Sequence, residues 1–272
     1  MQDPFRSCIH THSIYCDGKD APEDMVRQAL ALGFVSLGFS GHGYAPYDIA
    51  SMTQENEAVY RTEVRRLQAV YGDRLEILLG QEHDALAPYA DYPYDYLLES
   101  VHYLDCGGVI RTVDYSAAMT AETISDYFGG DPYAYCRLYY AVCAAAYEKS
   151  PAQIAGHVDL VTKFVERGVP MDQEDPRYLG PAKESVACAI ERGLVLEINS
   201  GAISRGYRTT PYPAPALLRH IRDLGGQVIV TSDCHDRNHL TCHYSQIAEL
   251  LKAHGFRSTL RLRKQGFEEL PL

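Results

Sequence analysis

The sequence of 272 residues predicts an α/β protein built on parallel strands, because strand-like and helical segments alternate along it. Short apolar runs, typical of buried strands, alternate along the chain with longer segments of helical periodicity. This alternation is typical of parallel strands joined by crossover helices. About seven such units could close into a barrel, and no repeat or low-complexity linker interrupts them. We therefore expect residues 1–272 to form one domain.

The first half of the chain contains four predicted strands, at residues 7–12, 34–43, 75–84 and 94–104. The first helix should begin near Pro22 and end at Gly33, because proline favours the first helical turn and glycine favours the position after the last. The second helix should begin after Thr53, a good N-terminal cap, and end at Gly72. Residues 120–149 are predicted to be mostly helical, with an interruption near "GGDP".

The second half contains three more predicted strands, at residues 152–160, 194–200 and 227–235. A helical segment follows each of them, at residues 175–193, 213–226 and 241–255. A last short strand is predicted at residues 256–265.

Composition and charge exclude several classes of function. The hydrophobic fraction of 46% and the charged fraction of 22% are ordinary for a globular protein. A net charge of −11 without a basic run argues against nucleic-acid binding. The sequence shows neither a membrane span nor the apolar core of a signal peptide, and its eight cysteines include no CxxC pair. We therefore expect a cytoplasmic protein with free thiols and no membrane partner, and the oligomeric state stays open.

Residues of the kind that bind metals recur where the predicted strands end. His10 and His12 end the first strand, and their spacing of two directs both side chains to one side. Asp233 and His235 repeat this spacing at the end of the seventh strand. Four further strand ends carry His42, Glu82, His102 and His157. In parallel α/β barrels the carboxyl ends of the strands form the functional face, so six strands direct candidate ligands to one rim.

Each residue alone has an ordinary explanation. His42 could be a loop histidine, and His102 and His157 could be core histidines that are hydrogen-bonded to neighbours. All of them together at strand ends would be an improbable coincidence, and burying so many polar groups without compensation is costly. Imidazoles with carboxylates suit zinc, manganese or iron, and Glu82 and Asp233 are the carboxylates that could bridge two ions.

As a set, these motifs resemble the polymerase and histidinol phosphatase (PHP) superfamily. The matching segments are "HTHSIYCDG", "SGHG", "GQEHD", "SVHYL", "GHVDL" and "SDCH", which follow the family order between residues 10 and 235. The opening "HTHSxxCDG" and the stretches "GHVDLVTKF" and "NSGAISRGYRTTPYPAPALL" make the chain most similar to stand-alone histidinol-phosphate phosphatases.

The resemblance implies a distorted (β/α)7 barrel with three divalent or transition-metal ions, which could be zinc, manganese or iron. The first ion would be held by His10, His12, Glu82 and Asp233. The second would be held by Glu82, His102 and His157. The third would be held by Asp17, His42 and His235.

The activity that the resemblance implies is hydrolysis of a small phosphate monoester, foremost L-histidinol phosphate in histidine biosynthesis. Clustered metals would lower the pKa of a water molecule and present hydroxide to phosphorus, with Glu82 and Asp233 as their bridging ligands. His235 could instead protonate the leaving alkoxide if it is not a ligand. Two alternatives remain within the family: another substrate, such as phosphotyrosine or a nucleotide, and a non-catalytic scaffold stabilised by metal.

Substrate contacts are expected from residues outside the ligand set. Arg205, in "AISRGYR", is the first candidate to hold the phosphoryl oxygens, followed by Arg208 and Lys163. Lys163 departs from the family pattern, where an arginine is expected, and a lysine acts as a point charge rather than as a planar fork. Asp84 should point to the same side as Glu82, where it could orient a ligand or contact a substrate amine. The Tyr-rich loop 88–96 and the segment 105–116 are expected to shape the pocket.

Overall fold

The structure is a computed structural model that describes residues 3–272. The first two residues of the opening segment, in which no signal-peptide core was expected, lie outside the described residues. The strands are β1 (Ser7–Cys8), β2 (Ser36–Phe39), β3 (Glu76–Asp84), β4 (Tyr96–Ser100), β5 (Tyr103–Asp105), β6 (Ile110–Thr112), β7 (Ile154–Ala155), β8 (Val195–Asn199), β9 (Val228–Thr231), β10 (Ser258–Arg263) and β11 (Gly266–Pro271). The helices are α1 (Pro22–Ala31), α2 (Gln54–Tyr71), α3 (Ala117–Phe128), α4 (Pro132–Lys149), α5 (Pro176–Glu191), α6 (Gly201–Ser204), α7 (Pro215–Asp223) and α8 (Tyr244–Ala253).

Seven strands in residues 3–272 form a parallel array in the order β1-β2-β3-β4-β7-β8-β9. The chain beyond β1 pairs with the chain beyond β9 through a parallel bridge between Thr11 and Cys234. The N–H of His12 donates to the carbonyl of Cys234 at 2.9 Å, and the N–H of Cys234 donates to the carbonyl of His10 at 3.0 Å. These bonds join the first strand to the seventh and confirm the predicted (β/α)7 barrel.

The barrel is distorted at its other end. There β10 pairs parallel with β9, and β11 pairs antiparallel with β10. The Ser36 hydroxyl donates to the carbonyl of Leu262 at 3.1 Å, so β10 lies against the start of β2. The backbone bonds that join the first strand to the seventh thus lie just beyond the carboxyl ends of β1 and β9.

Tyr96 fills the middle of the barrel. It is 1% exposed, and its hydroxyl donates to the backbone carbonyl of Ile9. A Cβ atom at Gly80 would lie 2.3 Å from the Tyr96 ring, and one at Gly38 would lie 2.3 Å from its hydroxyl oxygen. Both glycines are required because the ring occupies the space that their side chains would need.

Local sequence signals determine several helix ends. The Thr53 hydroxyl accepts the N–H of Asn56 at 3.1 Å and caps α2 as predicted. Gly129 and Gly130 have φ angles of 61° and 81°, which few other residues adopt, and they separate α3 from α4 within the predicted helical stretch. No helix in residues 3–272 combines the length and apolar character that crossing a bilayer requires.

Several predicted strands differ from the structure. β1 covers only Ser7–Cys8 of the predicted 7–12, β2 only Ser36–Phe39 of 34–43, and β9 only Val228–Thr231 of 227–235. The strand predicted at 94–104 ends at Ser100, and the next residues form a separate antiparallel pair, β5–β6. The strand predicted at 152–160 has only two residues, because the N–H of Leu160 bonds to the carbonyl of His157 at 2.9 Å and begins a 3₁₀ turn, Leu160–Thr162. The segment predicted as one last strand continues through a hairpin into β11, which was not predicted.

Candidate metal centre

All nine predicted metal ligands converge at the carboxyl ends of the barrel strands. Their ligand atoms form four overlapping groups, and within each group these atoms lie within 4.8 Å of one another. The groups are His12/Asp17/His42/His235, His10/His12/Asp233, His10/Glu82/His157 and His42/Glu82/His102. The three ligands expected for the third ion, Asp17, His42 and His235, thus lie in one group, which also contains His12. Glu82 belongs to two groups, one with His157 and one with His102.

Glu82 lies at the centre of the cluster and is 1% exposed. Its Oε1 atom lies 2.8 Å from Nε2 of His157 and 3.3 Å from Nε2 of His102. Its Oε2 atom lies 3.0 Å from Nε2 of His10 and 3.2 Å from Nδ1 of His42. Each carboxylate oxygen faces different imidazoles, which is the arrangement expected of a bridging ligand.

Asp233 occupies a strained turn directly after β9. Its φ angle of 45° is unusual for a residue other than glycine, and such conformations concentrate at functional sites. Its Oδ1 atom lies 3.2 Å from Nε2 of His12 and 3.7 Å from Nε2 of His10. A Cβ atom at Gly201 would lie 2.5 Å from the Asp233 carboxylate, so glycine at that position leaves room for it.

Asp17 lies at the more exposed side of the cluster. Its Oδ2 atom lies 3.0 Å from Nε2 of His235, and its Oδ1 atom lies 3.3 Å from Nδ1 of His12 and 3.8 Å from Nε2 of His42. This aspartate comes from the loop after β1, so the opening motif supplies ligand candidates to two regions of the cluster.

The cluster couples imidazoles to carboxylates electrostatically. Burial alone would lower the pKa of His10, but Glu197, Glu82 and Asp233 outweigh it and raise that pKa well above its ordinary value. Burial would raise the pKa of the Glu82 carboxyl, but the neighbouring histidines outweigh it and hold that pKa well below its usual range. The carboxylates therefore stay ionised.

His235 differs from the other histidines of the cluster. Burial, the positive charge on His12 and the Arg205 guanidinium lower its pKa to about 4. Its imidazole is therefore neutral near pH 7, and neutral imidazole is the form that binds metal.

The donor set fits metal ions. Buried atoms without a hydrogen-bond partner include Nε2 of His10, Nε2 of His12 and Oε2 of Glu82, and all three face the cluster. Two ligands that each lie about 2.0–2.2 Å from a tetrahedral ion are separated by roughly 3–3.5 Å. The separations of 3.0 Å for His10–Glu82 and 3.5 Å for His12–Glu82 match this spacing.

Glu197, on β8, contacts two candidate ligands and was not predicted from the sequence. Its Oε1 atom lies 2.6 Å from Nδ1 of His10, and its Oε2 atom accepts the N–H of His157 at 2.6 Å. The side chain is completely buried. A carboxylate that holds the outer nitrogen of a ligand imidazole fixes its tautomer and orientation. A charged residue within the apolar run "LVLEINS" was the signal that could have revealed it.

A cavity of about 130 Å³ opens beside the cluster. Arg205 lines it and binds Asp233 Oδ2 at 2.9 Å and His235 Nδ1 at 2.7 Å. Lys163 lines it as well, with its Nζ atom 3.0 Å from Oδ2 of Asp114. Both cations are predicted from the sequence, whereas Asp114 is not.

The structure separates the remaining substrate candidates. Arg208 is 4% exposed and does not line the cavity, because its Nη1 atom donates to the Thr162 carbonyl at 3.2 Å and its Nη2 atom to Thr210 Oγ1 at 3.0 Å. Arg208 thus lies outside the cavity that Arg205 and Lys163 line. Its buried guanidinium instead joins two loops.

Asp84 is engaged on both carboxylate oxygens. Its Oδ2 atom accepts the backbone N–H of His102 at 2.8 Å and lies 3.4 Å from Nδ1 of the same residue. Its Oδ1 atom accepts the Tyr47 hydroxyl at 2.7 Å. These contacts support the first of its two expected roles, orientation of a ligand, over contact with a substrate amine.

The two loops that were expected to shape the pocket differ in position. Segment 105–116 contributes Asp114 to the cavity beside the cluster. Loop 88–96 contributes no side chain to that cavity and instead borders a separate cavity of about 340 Å³. There Tyr89 stacks on His83 with ring centroids 3.8 Å apart. His83 follows Glu82 and therefore points away from the cluster.

The fold and the site together define a seven-stranded parallel α/β barrel with a candidate metal centre at the carboxyl ends of its strands. A family model described as "PHP domain" matches residues 9–201, and this chain belongs to that family. The chain is 24% identical over 283 residues to a probable histidinol-phosphatase of Schizosaccharomyces pombe, with 96% of this chain and 90% of the relative covered. It is 27% identical over 271 residues to a probable histidinol-phosphatase of Deinococcus radiodurans, with 94% and 96% covered.

Solved structures show the same fold. A putative histidinol phosphatase from Listeria monocytogenes superposes with a TM-score of 0.80 at 22% identity, covering 88% of this chain and 99% of that one. A histidinol phosphate phosphatase from Lactococcus lactis, complexed with zinc, L-histidinol and phosphate, superposes with a TM-score of 0.69 at 19% identity, covering 96% and 98%.

Proposed function

We propose that this protein is a metal-dependent phosphomonoesterase that hydrolyses L-histidinol phosphate to L-histidinol and inorganic phosphate. The observation that carries this proposal is a cluster of imidazoles and carboxylates bordering a cavity that also presents Arg205 and Lys163. Two relatives aligned over nearly the whole chain are named probable histidinol-phosphatases. The structurally similar Lactococcus lactis enzyme binds zinc, L-histidinol and phosphate, which supports the same substrate here.

The nine candidate ligands would hold three ions of zinc, manganese or iron. Such ions, when bound, supply Lewis acidity that lowers the pKa of water and offsets phosphoryl charge. Glu82 and Asp233 would hold neighbouring ions, since each carboxylate lies against two or more imidazoles. Glu197 and Asp84 would keep the imidazoles of His10 and His102 oriented.

The two cavity cations would hold the phosphoryl oxygens as charge redistributes during displacement. Arg205 is preorganised for this work, because Asp233 and His235 already fix its guanidinium. His235 fits the ligand role better than that of the acid that protonates the leaving alkoxide. Its low pKa leaves the imidazole without the second proton at neutral pH.

The size and charge of the site favour a small substrate. A cavity of about 130 Å³ suits one phosphoryl group and a short organic part. The net charge of −11 opposes binding of a polyanion such as nucleic acid. We also place the protein in the cytoplasm, since its eight cysteines are free thiols and the proposed reaction belongs to histidine biosynthesis.

The test is phosphate release from L-histidinol phosphate by protein reconstituted with zinc or manganese, with and without chelator. Phosphotyrosine, nucleoside monophosphates and p-nitrophenyl phosphate serve as competing substrates. We expect L-histidinol phosphate to exceed the others by about a hundredfold in kcat/KM and chelator to abolish the reaction. A better alternative ester would overturn the proposed substrate, and inactivity with every metal would favour a metal-stabilised scaffold.

Arg205→Ala tests the phosphate contact. We expect kcat/KM to fall at least about tenfold, roughly 1.4 kcal/mol of lost transition-state stabilisation. Steady-state kinetics on L-histidinol phosphate measure the effect. Arg219→Ala is the matched control, because Arg219 is exposed on α7 and does not line the cavity. Unchanged kinetics in Arg205→Ala would remove this residue from the site.

A further inference from the structure

The cavity beside the cluster carries one carboxylate outside the candidate ligand set. Within the described chain, its charged lining residues other than the ligand candidates are Asp114, Lys163 and Arg205. Asp114 follows β6 and accepts the Lys163 ammonium on Oδ2 at 3.0 Å. A carboxylate and an ammonium thus lie next to each other on the wall of the cavity that faces the candidate ligands.

Each member of this pair is fixed independently of the other. The Oδ1 atom of Asp114 accepts the Thr112 hydroxyl at 3.1 Å. The Nζ atom of Lys163 lies 5.0 Å from the centroid of the Tyr207 ring, within cation–π range. The Asp114 side chain remains 27% exposed, whereas that of Lys163 is 9% exposed. The carboxylate is therefore the more accessible partner.

Asp114 is ionised at neutral pH. Burial would raise the pKa of its carboxyl, but the Lys163 ammonium and the His102 imidazole outweigh burial and lower that pKa below its ordinary value. An incoming phosphoryl dianion attracts Lys163 and repels Asp114. If Lys163 turns to the phosphate, Asp114 is left as a partly buried and unpaired carboxylate, which is costly.

A substrate that carries its own ammonium removes this cost. We propose that Asp114 is the specificity residue of this site and receives the cationic amine of the substrate, while Lys163 exchanges Asp114 for the phosphoryl group. The inference rests on the proposed function and deepens it by assigning the substrate class: phosphate monoesters with an ammonium close to the ester. Esters without this amine leave Asp114 unpaired and are disfavoured.

Asp114→Asn tests the proposal with two matched esters. One is L-histidinol phosphate, and the other is 3-(imidazol-4-yl)propyl phosphate, which lacks only the amine. We expect the wild type to prefer the amine ester by at least about thirtyfold in kcat/KM, because one charge pair is lost with the analogue. In Asp114→Asn the preference should fall below about threefold, mainly through a higher KM for the amine ester.

A residue that only positions Lys163 would behave differently. Asp114→Asn would then lower kcat/KM equally for both esters and leave their ratio unchanged, and this result would overturn the proposal. Lys163→Gln should lower kcat/KM for both esters, since both contain the phosphoryl group. Asp105→Asn is the control: Asp105 is exposed on the same hairpin, and its Oδ1 atom accepts the N–H of Gly108 at 2.5 Å.

The design separates failure of this inference from failure of the proposed function. If L-histidinol phosphate is not hydrolysed but p-nitrophenyl phosphate is, the proposed substrate is wrong. The amine preference is then measured with phosphoethanolamine against ethyl phosphate. If no ester is hydrolysed, calorimetric Kd values of the two imidazole esters decide. In either case, a preference for the amine that Asp114→Asn removes supports the inference, and a preference that it leaves unchanged overturns it.

Discussion

His157 follows β7 and points its Nε2 atom at Glu82 Oε1 from 2.8 Å. Alanine at this position removes an imidazole donor without placing a new group in the cluster. We expect His157→Ala to retain less than about 1% of metal-dependent turnover while remaining folded, because the proposed ligand and its contact with Glu82 are both lost. Turnover, bound metal and circular dichroism would be measured together.

The control for this substitution is His220→Ala. His220 lies on α7, where its Nε2 atom is 3.3 Å from the Lys183 carbonyl, and it belongs to none of the four ligand groups. It should keep turnover and metal content near those of the wild type. Near-normal activity in His157→Ala would contradict the ligand assignment.

Glu197 should affect metal affinity although it lies outside the ligand groups. In Glu197→Gln one carboxylate oxygen becomes an amide group that cannot accept hydrogen bonds, so the bonds from His10 and His157 can no longer both be kept. We expect metal affinity to fall about 10–100-fold, as is typical when the partner of a ligand imidazole is removed. Competition with a chelator measures this loss, and an unchanged affinity would show that Glu197 has only a packing role.

The sequence predicted the ligand candidates other than Asp17 because their position at strand ends is a local property, whereas Asp17 was implied only by the family resemblance. His10 and His12 need only the strand period and the direction of the chain to be placed on one side. Glu197 and Asp114 were missed because their importance depends on contacts across the barrel. Glu197 meets His10 over 187 positions of sequence, and Asp114 meets Lys163 over 49. The residue spacing around Glu197 or Asp114 does not indicate which distant residue each one contacts.

At the scale of elements, the β3–β4 pair depends on the fit of Tyr96 against Gly80. We expect Gly80→Ala to destabilise the protein by about 1–3 kcal/mol, because the new methyl group would overlap a ring enclosed by the barrel. Chemical denaturation of the metal-free protein measures the change. In a Tyr96→Leu background the ring atoms are gone, and the added cost of Gly80→Ala should largely disappear. Equal costs in both backgrounds would show that the ring is not the cause.

The predicted elements were most accurate where periodicity and caps agree. α2 begins after Thr53, and α3 and α4 separate at two glycines, as expected. The prediction was wrong where buried apolar residues adopt turns instead of strands. Residues 158–161 are apolar except for Asp159 and resemble a strand, yet they form backbone bonds of 3₁₀ type after β7. These residues are apolar because they are buried, although they do not pair with a neighbouring strand.

At the scale of the whole molecule, the candidate metal centre links most of the barrel. Its candidate ligands follow β1, β2, β4, β7 and β9 or lie within β3, so unfolding any part of the ring disperses them. A metal ion that binds only the folded state stabilises that state, and the stabilisation grows with the affinity and the concentration of the ion. Metal loading should therefore raise the midpoint of thermal unfolding, and chelation should lower it.

This stabilisation should depend on pH in a defined direction. In the metal-free protein, neighbouring carboxylates overcome burial and raise the pKa values of His10, His12 and His102 well above 6.5. Their contribution to the free energy of unfolding is complete below the unfolded pKa and is lost as pH rises through the folded values. Metal ions replace those protons, and binding strengthens as protons become scarce. From about pH 6.5 to about pH 9, the metal-free Tm should fall relative to the loaded Tm, and calorimetry of both forms should show the gap widening. Parallel curves would show that these imidazoles do not exchange protons for metal.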